Sequence, residues 1–454
     1  MGPYDSSPFH DSVISPLGLQ PKKTPGEFRV IHDLSYPNGK SINSGIPRDF
    51  ATVKYSSISD AIKLILYYGE GAYLAKTDIK SAFRIIPIHP NDYHLLGFKW
   101  KGKYFFDKCL PMGASSSCYI FERFSTSLHW IFSQFLTKVR VVHVLDDFLF
   151  VGANKRDVSF ALSVFLDMCV NIGVPIAHEK TMGPAQILPF LGIQLNTVDM
   201  SASLPVDKIS KILYMIHEFL HQKSVTLKRM QSMCGLLNFA SGVIVPARAF
   251  TRRLYDLCIG VPQPYYKIKL TKAVKQDLRV WLQFLLNHNR KTFLLDFYWI
   301  SNPKLDLYTD SASTIGYGAV FGSKWLQGLW HPECLRLNIA LLELYPICVA
   351  MHIWASELKN KCITLHSDNQ AVVAIINSNT SKDPMIMILV RKLVLTCMSN
   401  NIFVRAHFIP GTSNTIPDLL SRNQVDKARA LAPHLDQQPI KVPPEWELHK
   451  WLKE

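Results

Sequence analysis

The sequence predicts a multidomain chain of mixed α+β and α/β class, and three observations predict it. First, 454 residues exceed what a single core sustains, and ~100–200 residues per domain implies two to four units. Second, 48% hydrophobic against 19% charged residues describes a globular chain and excludes a disordered one. Third, the periodicity of the apolar residues changes twice along the chain, which divides it into blocks.

From about 20 to 200, the short β-rich runs "YLAKTDI", "KYFFDKCL", "VRVVHVLDDFLFVG" and "ILPFLGIQL" alternate with helical stretches such as "SSSCYIFERFSTSLHWIFSQFL". That mixture requires a sheet with helices packed on it. From 205 to 295 no convincing strand is present, and "VDKISKILYMIHEFLHQK", "TLKRMQSMCGLLNFASG" and "LTKAVKQDLRVWLQFLLNH" carry helical periodicity. From 300 to 425 the order is three strands ("KLDLYTDSAS", "GYGAVFG", "KWLQGLW"), a helix over 338–357, a strand "CITLHSD", two helices, a strand "IFVRAHFI" and a short helix. Helices covering a mixed sheet satisfy that order. The predicted blocks are therefore 1–200, 201–299, 300–425 and a tail over 426–454, whose "VPPEWELHKWLKE" reads as a linker.

Lys and Arg number 50 against 35 Asp and Glu, a net +15 that favours a polyanionic partner. The excess is local: residues 205–295 hold fifteen basic and four acidic residues, +11 of the total. Any one of these lysines reads best as part of a solvated helix face, but a whole block this lopsided calls for a polyanion. Nine cysteines at irregular spacings, with no C-x-x-C pair, indicate neither a disulfide framework nor a zinc site. A reducing, intracellular compartment, cytoplasmic or nuclear, is expected. The first twenty residues lack a basic region followed by an apolar core, so no secretory signal is read there. The longest apolar stretch, 338–355, contains Glu343, Pro346 and His352 and reads as a buried helix, so no membrane partner is expected.

"VVHVLDDFLFVG" places Asp146 and Asp147 inside an apolar run, where an unpaired carboxylate is costly. A β-branched run entering and an apolar run leaving describe a tight hairpin with both acids at its tip. "YLAKTDIKSAFRIIPI" ends a strand at Asp78, a third acid that meets Asp146 if the strands are neighbours. Three such carboxylates need cations, and two divalent ions ~4 Å apart serve in-line phosphoryl transfer. An isolated Asp-Asp pair is more often a solvated turn.

The company of these acids decides between the two. "KKTPGEFRVIHDLSYPNGKSIN", "TDIKSAFRIIPI", "LPMGASSSCYIFERF", "LDDFLFVG" and "FLGIQL" resemble, in order and spacing, the motifs of reverse transcriptases. "SINSGIP", "SSSCYIFERFSTSLHWI" and "LDDFLFVG" resemble the polymerases of tyrosine-recombinase retrotransposons of the DIRS and Ngaro type. The resemblance implies a right-hand polymerase of fingers, palm and thumb. It implies that Asp78, Asp146 and Asp147 bind two Mg²⁺ ions, with Mn²⁺ as an alternative, Asp147 having the lesser role. Phe83 would be the gate against a ribose 2′-OH, and Lys22 and Arg29 would hold the triphosphate. Gly113 and Ser115 would lie against template and incoming base, and Lys180 would give a proton to the leaving pyrophosphate. The family places an aromatic residue two positions before the first acid of the pair, where this chain has Val144.

Across 300–425, "LYTDSASTIGYGAVF", "ALLELYPI", "LHSDNQAVVAI" and "HFIPGTSNTIPDLLSR" resemble ribonuclease H in order and spacing. A mixed five-stranded sheet with helices is implied. Asp310, Glu343, Asp368 and Asp418 would form a second centre with two Mg²⁺ ions, directing water at the RNA of a hybrid duplex. Phe408 stands where the family has a histidine, and His407 is displaced by one residue. The basic helical block then becomes the thumb and connection that grip a duplex.

The reading is an RNA-directed DNA polymerase with endonucleolytic ribonuclease H activity, whose partners are an RNA template, a DNA primer, the RNA–DNA hybrid and dNTPs. The alternative is a decayed or domesticated retroelement fragment that binds nucleic acid without polymerising, for which Val144, the start at Met1 and the lack of a recombinase signature speak.

Overall fold

The computed structural model describes residues 1–21, 26–287, 290–292, 299–410 and 414–451. The chain forms two compact units, Met1–Ala202 and Ser203–Glu454.

In the first unit, one hairpin precedes the central sheet and another is inserted after its first strand. Leu17–Pro21 (β1) pairs antiparallel with Phe28–His32 (β2) and is largely exposed. After helix Ile58–Tyr68 (α1) and strand Tyr73–Asp78 (β3), Gly97–Trp100 (β4) pairs with Lys103–Phe106 (β5). Helix Ser117–Phe135 (α2), strands Val139–Val144 (β6) and Asp147–Gly152 (β7), helix Lys155–Asn171 (α3) and strand Met182–Ala185 (β8) follow. The four strands form an antiparallel sheet in the order β6-β7-β3-β8. A last hairpin pairs Ile187–Phe190 (β9) with Ile193–Asn196 (β10).

Successive side chains of a strand face opposite ways, so an uninterrupted apolar run implies burial on both faces. Strand β7 is such a run: Phe148 and Phe150 join Phe121, Phe132 and Phe165 in the core under α2 and α3, while Leu149 and Val151 are equally buried on the other face, where α1 packs. The sheet that carries the acids is therefore clamped between helices.

In the second unit, helices Val206–His221 (α4), Leu227–Ala240 (α5), Arg252–Asp256 (α6) and Lys272–Asn287 (α7) build the basic block. The expectation that this block has no strand is corrected by Ser224–Thr226 (β11) and Lys267–Lys269 (β12), which pair antiparallel. Three residues are too short to register as a period, and Thr226 also caps α5 by accepting from Arg229 N–H. Asp277 of α7 is buried, 3.0 Å from Arg253 and 3.8 Å from Arg391, and Arg391 belongs to a helix of the following α/β block. That ion cluster helps to join the two blocks into one unit.

The α/β block contains Trp299–Ile300 (β13), Leu307–Ser311 (β14), Gly316–Phe321 (β15), Lys324–Leu329 (β16), helix Ile339–Ile353 (α8), Cys362–Ser367 (β17), helices Gln370–Ser378 (α9) and Pro384–Ser399 (α10), Phe403–Phe408 (β18) and helix Thr415–Ser421 (α11). The single five-stranded sheet expected here is instead two three-stranded sheets: an antiparallel β14-β15-β16 and a parallel β13-β17-β18. Strand β13 takes one edge of β17 at Cys362 and Ile363, so β14 lies beside β17 without a ladder. Helix α8 is the buried helix expected from its composition, with Pro346 inside it. Among the described residues no helix is long and apolar enough to cross a membrane.

The tail is not the linker its proline-rich sequence suggests. Trp446 is only 3% exposed: its carbonyl accepts from Tyr345 Oη at 2.5 Å, its ring meets His352 at 4.7 Å, and Lys392 Nζ lies 5.1 Å from its centroid. Truncating a buried indole leaves a cavity, so Trp446→Ala is expected to cost about 3–5 kcal/mol, read as a lowered midpoint in urea unfolding of the second unit.

Candidate active sites

The first centre is built by the β6–β7 hairpin and β3. Val144 and Asp147 close the hairpin, leaving Leu145 and Asp146 as a two-residue turn with Leu145 in the left-handed region at φ 54. Asp78 stands directly opposite Asp147 in the β3–β7 ladder, and Ile79 N–H donates to the Asp146 carbonyl at 3.0 Å. Residues opposite each other in an antiparallel pair share a face, with Cβ atoms about 4.5–5.5 Å apart. Asp78 and Asp147 therefore face one another across the ladder, and the turn holds Asp146 beside them.

Electrostatics register that crowding. Burial, then Asp146 and Asp78, push Asp147 up to about 6; burial, then Asp78, raise Asp146. Lys180 Nζ lies 2.8 Å from Asp78 Oδ1, and this bond holds the lysine above its ordinary range. Among the described residues no three His, Cys, Asp or Glu side chains converge closely enough to hold an ion as they stand. Uncompensated carboxylates repel, and Lys180 already takes one oxygen of Asp78. The donor set consists of hard carboxylate oxygens, which suits Mg²⁺ and not a thiophilic ion.

The remaining first-block residues divide. Arg29, exposed on β2, lies near enough to Asp146 to oppose the rise of its pKa. Phe83 is half-buried and meets Phe121 edge-on at 5.6 Å, so it also packs on the core. Lys22 lies outside the described residues. Gly113 has φ 140, and a β-carbon there would sit 1.8 Å from the His32 carbonyl, so the glycine is required by the approach of β2. Asn43 fastens the same loop twice: its Nδ2 donates to the Gly113 carbonyl at 2.8 Å and its Oδ1 accepts from Ser115 N–H at 2.8 Å. The Ser115 hydroxyl itself is shielded. Val144 is half-buried at the end of β6.

The second centre gathers Asp310 from β14, Glu343 from α8, Asp368 just after β17 and Asp418 from α11. Burial raises Asp310, with Asp418 and Asp368 adding to it, while Ser421 Oγ donates to its Oδ2 at 2.7 Å and Asn414 Nδ2 to its Oδ1 at 3.4 Å. Glu343 is pushed up to about 8 by burial first, then by Asp310 and Asp368. Asp418 is in the first turn of α11 and accepts from Arg422 Nε at 2.8 Å. The close seating of α11 depends on Gly318, opposite Asp310 in the ladder, where a β-carbon would come within 2.5 Å of Leu420. His407 lies opposite His366 in the β17–β18 ladder, their rings 6.5 Å apart, and Phe408 is exposed.

Residues 20–195 match the family model of reverse transcriptase (RNA-dependent DNA polymerase). They form a reverse transcriptase domain. The chain is 21% identical over 407 residues to the putative enzymatic polyprotein of Cassava vein mosaic virus, covering 87% of this chain and 58% of that one. It is 28% identical over 188 residues to the Pro-Pol polyprotein of feline foamy virus, covering 41% and 15%. A structure of the foamy viral protease-reverse transcriptase dRH in complex with double-stranded DNA superposes with a TM-score of 0.51 at 17% identity, covering 87% of this chain and 66% of that one. Both of these relatives are polyproteins, and the chain spans 58% or less of their length.

Two residues of the reverse transcriptase domain escaped the sequence reading. Asn43 lies within "SINSGIP", but nothing local shows that it reaches a loop 70 residues away. Glu122 accepts from the Leu145 N–H at 2.8 Å. Its only local signal is an acid next to Phe121 on α2, with Thr126 and His129 following it on the same helix face.

Proposed function

We propose that the chain is an RNA-directed DNA polymerase with ribonuclease H activity, from a retrotransposon of the DIRS or Ngaro type. The observation that carries the polymerase assignment is the pairing of Asp78 with Asp147 beside the Asp146 turn, within the reverse transcriptase domain. Asp78, Asp146 and Asp147 would hold two Mg²⁺ ions, which supply activation of a primer hydroxyl and charge neutralisation at the phosphates. Arg29 and Lys22 bind the triphosphate of a dNTP, and Phe83 excludes a 2′-OH. Lys180 is kept protonated by Asp78 and would be the group that gives a proton to the leaving pyrophosphate. Support for the nuclease is the second gathering of acids, in which burial first and then the neighbouring carboxylates raise Glu343 and Asp310.

The test uses the full chain with a DNA-primed RNA template, Mg²⁺ and dNTPs. Primer extension is expected, and its loss in an Asp146→Asn, Asp147→Asn double variant; extension that persists in that variant overturns the assignment. Binding of the primer-template is further expected to weaken steeply with salt, because the basic helical block neutralises several phosphates at once. With about six phosphate contacts, affinity falls on the order of 10³-fold between 50 and 200 mM salt, measurable by fluorescence anisotropy.

A further inference from the structure

Beneath the Leu145–Asp146 turn lies a polar stripe that the chemistry above does not use. Glu122, Thr126 and His129 are spaced i, i+4 and i+7 along α2, one face of a helix, and that face meets His143 of β6. Glu122 Oε2 accepts from Leu145 N–H at 2.8 Å, and Oε1 lies 3.5 Å from His143 Nε2. Thr126 Oγ1 is 3.4 Å from that same nitrogen, and the Nδ1 atoms of His129 and His143 are 2.9 Å apart. The His143 ring stacks on Phe148, with centroids 5.2 Å apart. Glu122 and His143 are both buried, 9% and 6% exposed. Burial, together with His129, pushes His143 down to about 4, so its contact with Glu122 is that of a neutral ring and not an ion pair.

A buried acid is costly unless it is bonded, and this one is bonded to the backbone of the turn that presents Asp146. The left-handed conformation of Leu145 is disfavoured for any residue with a β-carbon and persists only where its surroundings hold it. We propose that Glu122 is a positioning residue of the polymerase centre: by holding the Leu145 N–H it keeps the turn left-handed and so aims Asp146 and Asp147 at Asp78. The inference rests on the polymerase reading above. If the bond is lost, the turn can relax toward ordinary φ, and the acids leave the face they share with Asp78.

The experiment compares Glu122→Gln, which keeps an acceptor for Leu145 and offers an N–H to His143, with Glu122→Met, of equal length and no acceptor. Glu122→Gln is expected to extend primers within about threefold of the parent, whereas Glu122→Met loses about tenfold to 100-fold in kcat with the dNTP KM within about twofold. Amide hydrogen exchange supplies a readout independent of activity: Leu145 N–H stays protected in Glu122→Gln and exchanges faster in Glu122→Met. Should Glu122→Met fail to fold, Glu122→Asp replaces it, one methylene too short to reach Leu145, with the same loss expected. The inference is overturned by a Glu122→Met chain as active as the parent, by a Glu122→Gln chain as impaired as Glu122→Met, or by unchanged Leu145 exchange in the chains lacking the bond. A parent chain with no extension at all counts against the polymerase reading instead, and Leu145 exchange still decides the role of Glu122.

Discussion

Replacing Asp78 by Asn is expected to lower primer extension on the order of 10³-fold or more, with the fold intact. Asp78 is 6% exposed at the end of β3 and faces Asp147, so its carboxylate, unlike that of Asp146, is fixed by the sheet and not by a turn. Asparagine keeps the shape and one acceptor oxygen but removes the charge that a divalent ion needs. Two effects on stability oppose each other. The Lys180 bond weakens, but Lys180 is half-exposed and such pairs contribute about 0–1 kcal/mol. Repulsion of Asp146 and Asp147 is relieved at the same time. The melting temperature near neutral pH should therefore move little, while single-nucleotide incorporation collapses. Incorporation within about tenfold of the parent would remove Asp78 from the centre.

Glu343→Gln is expected to abolish cleavage of RNA in a labelled hybrid and, at the same time, to stabilise the second unit at alkaline pH. Burial first, and then Asp310 and Asp368, push half-buried Glu343 up to about 8, against an ordinary value of 4.5. The folded state thus holds this proton more tightly than the unfolded one. Stability from the neutral carboxyl is present below about 4.5 and is lost as pH rises toward 8. Glutamine does not titrate, so the variant and the parent should melt together at pH 4.5 and diverge progressively up to pH 8, the variant being higher. Added Mg²⁺ should raise the parent's melting temperature at pH 8 and leave the variant's nearly unchanged, since ligand binding to the folded state alone stabilises it. Primer extension by Glu343→Gln should persist. A centre that is more stable without its acid is one whose residues serve chemistry at the expense of folding.

Local pattern made much of this legible. Alternation placed Asp78, Asp310 and Asp368 at or beside strand ends, and the apolar stretch around Glu343 marked a buried helix that carries an acid. Where strands are short, pattern fails. The three-residue β11 and β12 offer no period, and the parallel edge taken by the two residues of β13 cannot be told from loop. Proline in the tail suggested a linker, because the local sequence does not show that α8 and α10 present a surface for Trp446.

The sequence by itself determined which residues carry charge, which of the longer segments are strands or helices, and the order of the seven acids along the chain. Only the tertiary structure decided what each acid rests on. Lys180 reaches Asp78 across 102 residues, Ser421 reaches Asp310 across 111, and Glu122 reaches the Leu145 turn from another element. The physical reason is one of range. Periodicity reports the face a residue takes within its own element, whereas a hydrogen bond to a buried carboxylate depends on which two elements the packing of the core brings within 3 Å.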